Sequence, residues 1–280
     1  MSIKITADST CDLTAELLER YDVELFPLSV ILNDNSLKDG VDVFPDDLYR
    51  HVETTGNLPT TSANSVGEYQ DRFAVLSSQY DAVIHINISS DFSSCYQNAC
   101  IAAEEFDNVY IVDSRNLSTG HGHVVIEAAL AAKRGMTAPE IVDMLNNLTG
   151  RVEASFVLDQ LDYMVKGGRC STVAALGANL LKLKPCIEVK DGKMGMVKKY
   201  RGPFAKVILE YVKDRLEGRE DVIYDRIFIT YSSDMPEVVQ AVRTAVEQYA
   251  PFTEIMETRA GCTVCSHCGS STLGILFIRK

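Results

Sequence analysis

Apolar positions along this chain recur with two periods, and the two alternate. Runs at 3–7, 23–32, 81–88 and 108–114 are rich in β-branched residues and apolar at almost every position, the pattern of strands covered on both faces. Between them the helical period predicts helices over about 13–21, 45–54, 66–78 and 96–106. In the last of these Tyr96, Ala99, Ala103 and Phe106 share a face. Pro27 predicts an edge or a bulge in the second run, and 33–36 reads as a polar turn. Gly120-His121-Gly122-His123 opens a further helix, with Gly122 read as a point of close approach. Strands alternating with helices predict a mostly parallel sheet with helices on both faces.

The rhythm changes after Thr149-Gly150-Arg151. A strand at 152–158 leads to a short helix at 160–166, the turn Gly167-Gly168-Arg169, and a helix over 172–181. Asp191-Gly192 then closes a β-hairpin between 184–189 and 194–200. Helices at 203–217 and 235–249 and strands at 226–231, 252–257 and 273–279 complete an α+β half with a mixed sheet. These changes place a domain boundary at residue 151: an N-terminal α/β domain, 1–151, and a C-terminal α+β domain, 152–280.

The 280 residues carry a net charge of −12, which argues against nucleic acid as a partner because phosphate neutralisation needs a basic footprint. No apolar run reaches the length of a membrane span, and the opening residues lack the apolar core of a signal peptide. The chain therefore reads as cytoplasmic, with its eight cysteines as reduced thiols. Cys100 and Cys186 read as buried ones. A dinucleotide site is discounted, since Val125 stands where a G-x-G-x-x-G fingerprint needs its third glycine.

Candidate chemistry lies in hydroxyl-rich loops at strand ends: Asp8-Ser9-Thr10, Thr60-Thr61-Ser62 and Ser89 through Ser94. Open α/β sheets place their sites at the carboxyl ends of strands, and a helix entrance suits an anion. Ser65 with Glu68, and Ser94 with Gln97, also fit capping boxes, so the same residues suit plain helix entry.

Taken in order, these blocks resemble the DegV family of bacterial fatty-acid-binding proteins over essentially the whole chain. The carrying residues are Thr6-Ala7-Asp8-Ser9-Thr10-Cys11-Asp12-Leu13, Pro59-Thr60-Thr61-Ser62, and Ser93-Ser94-Cys95-Tyr96-Gln97-Asn98-Ala99. Leu161 to Arg169, Leu183-Lys184-Pro185 with Asp191-Gly192-Lys193, and His267-Cys268-Gly269-Ser270 complete the set. The resemblance implies two domains holding one long-chain fatty acid in a buried tunnel, with no cofactor besides that ligand. It also implies a lipid-binding component, not itself an enzyme, that presents the acyl carboxylate to a separate fatty acid kinase subunit of phospholipid metabolism. By the resemblance Thr61, Ser62, Ser93, Ser94, His267, Gly269 and Arg169 are ligand-binding, and Arg169 and Arg201 face the kinase. Burying some fifteen methylenes at ~0.8 kcal/mol each gives about 12 kcal/mol gross, so head-group contacts matter more for orientation than for affinity.

The chain departs from the family pattern at Ala63, Ser94, Cys95 and Ser270, which bears on head-group geometry and on which acid is bound. Two other readings compete. Cys262, Cys265 and Cys268 with His267 have the spacing of a metal site. Ser93 with His267 suggests a hydrolase, though no G-x-S-x-G elbow or orienting carboxylate is identifiable.

Overall fold

A computed structural model describes residues 2–174 and 183–280. The chain opens with β1 (Ile3–Asp8), a 3-10 turn (Ser9–Cys11) and α1 (Ala15–Tyr21). The apolar run at 23–32 is two strands, not one: β2 (Val23–Phe26) and β3 (Ser29–Leu32), separated at Pro27. Proline has no N–H to give a ladder, so the run leaves one sheet and enters another. The polar turn is the tip of a hairpin into β4 (Asn35–Lys38), with Asn33 and Asp34 both at positive φ. After α2 (Pro45–Thr55), Thr60–Ser62 is not a bare loop but β5, an edge strand paired antiparallel with β3.

Next come α3 (Val66–Gln79), β6 (Ala82–Asn87), α4 (Cys95–Ala103), β7 (Val109–Asp113), α5 (Ser118–Lys133) and α6 (Ala138–Leu148). Ser65 and Glu68 form the expected capping box at α3. Ser94 and Gln97 do not: the Ser94 backbone is turned (φ −75°, ψ 1°) rather than extended, and its side chain caps nothing. The buried stripe of α4 is Cys95, Ala99 and Ala102, displaced from the predicted face. Four strands in the order β2-β1-β6-β7 make a wholly parallel sheet. Every position of β6 is buried, and β6 touches α3 as well as α5 and α6.

A 3-10 turn, Thr149–Arg151, leads into β8 (Val152–Leu158), α7 (Asp162–Gly167) and α8 (Ser171–Ala174). The remainder of the helix expected over 172–181 lies outside the described residues. Then follow β9 (Leu183–Lys190), β10 (Lys193–Arg201), α9 (Phe204–Leu216), β11 (Val222–Tyr231), α10 (Pro236–Tyr249), β12 (Glu254–Arg259), α11 (Cys262–Cys268) and β13 (Thr272–Arg279). Their sheet has the order β10-β9-β8-β13-β11-β12 and is mixed: only β11 and β12 run parallel. Asp191 and Gly192 turn the β9–β10 hairpin with positive φ, as Asp-Gly predicts.

Helix α5 joins the two large sheets, touching β1 and β6 on one side and β8 and β13 on the other. It is apolar or buried nearly all round, as a helix between two layers must be. Gly122 is what lets it in: a Cβ there would sit 2.8 Å from the carbonyl oxygen of Cys11. One hydrophobic core therefore runs from β1 through α5 to β8, and a second fills the space between α9, α10 and the far face of the mixed sheet.

Candidate functional site

The carboxyl ends of β1, β6 and β7 point towards the mixed half of the chain, and the site is built where they meet it. Asp8 ends β1, fully buried. Its carboxylate accepts from Tyr69 Oη (2.8 Å), Asn87 Nδ2 (3.1 Å) and the backbone N–H of Ile88 (3.1 Å). Burial alone raises the pKa of such a group. His85, with the charge of His121 and the Tyr69 hydroxyl, outweighs that and holds Asp8 below the usual carboxylate range. The bond to Ile88 fixes the point at which the chain leaves β6 for the serine loop. From the other side Ser89 Oγ donates to the carbonyl of Gly192 at 2.8 Å, tying that loop to the β9–β10 turn.

Helix α11 forms the opposite wall, and two carboxylates from the start of the chain hold its entrance. Asp39 accepts from the N–H groups of Cys262 (2.8 Å) and Thr263 (3.0 Å), and Asp12 from that of Gly261 (2.8 Å). Burial raises Asp12 to about 7, against hydrogen bonds from Ser118 and Gly261 and with help from Asp39. These anchors place His267 so that its Nε2 lies 2.9 Å from Thr61 Oγ1 on β5, across 206 residues of sequence. Burial, and then the nearby Arg169, lower the imidazole to about 4, so it is neutral at pH 7. Its Nδ1 has no partner among the described residues and faces Gly167, where a Cβ would lie only 2.5 Å away.

Between these walls lies a cavity of about 260 Å³. Thr61, Ser62, Ser93, Ser94, Arg169 and His267 line it, so the structure gathers the predicted side chains at one place. Exposure orients it. Ser62, Ser94 and Arg169 are exposed and form the mouth, and Thr61, Ser93 and His267 are half-buried below them. Leu28, Ile88, Phe92, Leu117 and Val264 are buried beyond. Ser93 Oγ donates to Cys95 Sγ at 3.0 Å and accepts from the Cys95 N–H at 3.3 Å, so its hydroxyl needs only a rotation to meet a ligand.

Gly269 does not line the cavity; it turns the chain after α11 beside Tyr163. Arg201 is exposed at the end of β10 and is likewise outside the lining. Met194, Thr263 and the apolar wall were not singled out in the sequence. Thr263 and Val264 were legible only as neighbours of His267 one helical turn back, once 262–268 is read as a helix.

That helix also bears on the two competing chemistries. Cys262 Sγ donates to the carbonyl of Val43 (3.4 Å), and Cys265 Sγ to those of Ala260 (3.3 Å) and Ser232 (3.5 Å). Burial raises all three thiols, Cys268 to about 12, which keeps them protonated where they donate these bonds. No cluster of His, Cys, Asp or Glu among the described residues is arranged to hold a metal. A serine hydrolase needs a carboxylate on the far nitrogen of its histidine; here that nitrogen meets Gly167. Of the thiols expected to be buried, Cys186 is, but Cys100 is only half-buried. No helix among the described residues is long and apolar enough to cross a membrane.

Known proteins resemble this chain along its whole length. The DegV family profile, described as uncharacterised proteins, matches residues 2–280. A DegV domain-containing protein of Clostridium acetobutylicum is 32% identical over 283 residues, covering 99% of each chain. One from Caldanaerobacter subterraneus subsp. tengcongensis is 30% identical over 280 residues, also at 99% of each. Among solved structures, a fatty-acid-binding DegV family protein of Thermus thermophilus superposes with a TM-score of 0.90 at 28% identity, covering 100% of both chains. A DegV lipid-binding protein of Thermotoga maritima gives 0.88 at 26% identity, again over 100% of both. The chain belongs to the DegV family.

Proposed function

We propose that this protein binds one long-chain fatty acid. The carboxylate sits among Thr61, Ser93 and His267, and the hydrocarbon runs inward along Leu28, Ile88, Phe92, Leu117 and Val264. The observation that carries this is the gradient within one cavity, from exposed hydrogen-bond donors at the mouth to buried apolar walls. Relatives of solved structure that are themselves fatty-acid-binding support it. Neutral His267 contributes one N–H, and the exposed guanidinium of Arg169 supplies positive charge at the mouth. Met194, unbranched and adaptable, is the wall residue best suited to give way as a long chain enters.

Denaturing the purified protein and extracting it with organic solvent should release about one equivalent of a long-chain acid, identified by mass spectrometry. Protein that neither yields such an acid nor takes one up would overturn the reading. Ser93→Ala and Thr61→Val should each weaken binding by about 1–3 kcal/mol, the cost of leaving a buried acceptor unpaired. If instead they lower the melting temperature and leave affinity unchanged, the hydroxyls serve only the backbone.

The same reading extends to presentation of the carboxylate to a separate kinase subunit, which makes the chain a substrate carrier and not an enzyme by itself. Arg169 at the mouth and Arg201, both exposed, are the side chains proposed to meet that subunit or the transferred phosphoryl group. Replacing either with Ala should preserve lipid content and melting temperature while reducing acyl-phosphate formation with the cognate kinase. Full phosphorylation in both variants would return the two arginines to solvated surface charge.

A further inference from the structure

The hydrogen bond between His267 and Thr61 can run in either direction, and its direction decides whether Thr61 can bind an anion. With the ring proton on Nδ1, Thr61 Oγ1 spends its only proton on Nε2, 2.9 Å away, and offers a carboxylate nothing but lone pairs. With the proton on Nε2, the ring donates to Oγ1 and the Thr61 hydroxyl keeps its own proton for a ligand. Which nitrogen is protonated depends on what the other one meets, and so on the surroundings of Nδ1.

Gly167, the last residue of α7, stands there. A Cβ on it would lie 2.5 Å from Nδ1 and 3.4 Å from Cγ, so the imidazole rests directly on the glycine backbone. Space alone excludes a side chain here, because Gly167 is not among the glycines at positive φ. Nδ1 is buried and has no hydrogen-bond partner among the described residues. The carbonyl oxygen of Gly167 is already engaged, accepting from Arg169 Nη1 at 2.6 Å. Burial and the charge of Arg169 keep the ring neutral at pH 7, so it has one proton to place. A buried N–H without an acceptor is rarer in native proteins than an acceptor left unused, which puts that proton on Nε2.

We infer that Gly167 is a positioning residue of the head-group site: it holds His267 as the Nε2–H tautomer, and the ring thereby turns the Thr61 proton towards the carboxylate. This rests on the fatty-acid reading above. The tautomer is read at pH 7 from two-bond proton–nitrogen NMR correlations of full-length protein carrying 15N-labelled histidine. The His267 ring is identified by its absence in His267→Phe. Nε2 should be protonated and Nδ1 bare. Palmitate titrations of the delipidated protein then test the relay. Gly167→Ala and Thr61→Val should each lower the affinity about tenfold, and the double variant should lose no more than either alone, since both break the same chain of bonds. If Gly167→Ala does not fold, His267→Phe takes its place in the cycle with the same expectation. A proton on Nδ1, a doubly protonated ring, or losses that add in the double variant would overturn the inference. Failure of the wild type to bind palmitate is a separate result: it sinks the fatty-acid reading, while the NMR measurement still judges the ring.

Discussion

Acidification from pH 7 to about 4.5 should cost the folded protein roughly 5 kcal/mol, a large share of the stability of an ordinary domain. The buried His121 and His123 and the half-buried His267 account for it. Burial lowers His121 to about 4 against the pull of Asp8, lowers His123 to about 3 with help from Arg226, and lowers His267 to about 4. The contacts agree with neutral rings: His123 Nε2 donates to the carbonyl of Leu276 at 2.9 Å while its Nδ1 accepts from Arg226 Nε at 3.4 Å. In the unfolded chain these groups titrate near 6.5, so between that pH and their folded values the unfolded state binds more protons. Stability is therefore full above about pH 6.5 and is lost as pH falls towards 4. Asp12 works the other way: raised to about 7, it contributes stability at low pH that is lost as pH rises through 7, and so offsets about one histidine. Urea unfolding followed at pH 7 and at pH 4.5 measures the net effect. Equal free energies at the two values would mean that the rings are already charged, or solvated, in the fold.

The sequence announces the parallel sheet because β1 and β6 are buried on both faces and the edge strand β7 is half-buried, which leaves apolar runs that no surface helix imitates. It conceals the small sheet β4-β3-β5. There Pro27 cuts a continuous apolar run into strands of different sheets, and β5 is a three-residue edge strand made of hydroxyl residues that also suit a turn. Helix α11 is concealed differently, since its repeating cysteines mimic a metal motif and only the flanking Gly261 and Gly269 hint at its ends.

The head-group residues are legible only through the family pattern. Thr61 and His267 meet across 206 residues, and no local periodicity encodes such a pairing. Asp39 was missed because what it does, holding the first N–H groups of α11, is visible only once that helix and β4 are placed together. Gly269 was expected at the ligand through its place in the family block His267-Cys268-Gly269-Ser270. The structure gives it a different task.

Gly269→Ala should destabilise the protein by about 3–5 kcal/mol, from a forbidden backbone and a blocked side chain together. At φ 74° and ψ −179° the residue occupies a region open essentially to glycine alone. Its N–H donates to the carbonyl of Cys265 at 2.9 Å and closes α11, so the backbone cannot relax without unwinding the helix that carries His267. A Cβ would also lie 2.7 Å from Cδ2 of Tyr163. That ring cannot simply step aside, because it packs edge-on against Tyr49, whose hydroxyl donates to the carbonyl of Ser232 at 3.2 Å. Tyr163 sits on α7, which ends at Gly167 against the His267 imidazole, so displacement at Gly269 reaches the site from a second direction. Thermal melts should show a fall of roughly 10 °C, and lipid content should fall with it. Gly150→Ala is the control: that glycine has an ordinary φ and open space where a Cβ would go, and its melt should match the wild type. If Gly269→Ala melts with the control and keeps its lipid, the turn after α11 accepts an ordinary residue and the packing account of this corner is wrong.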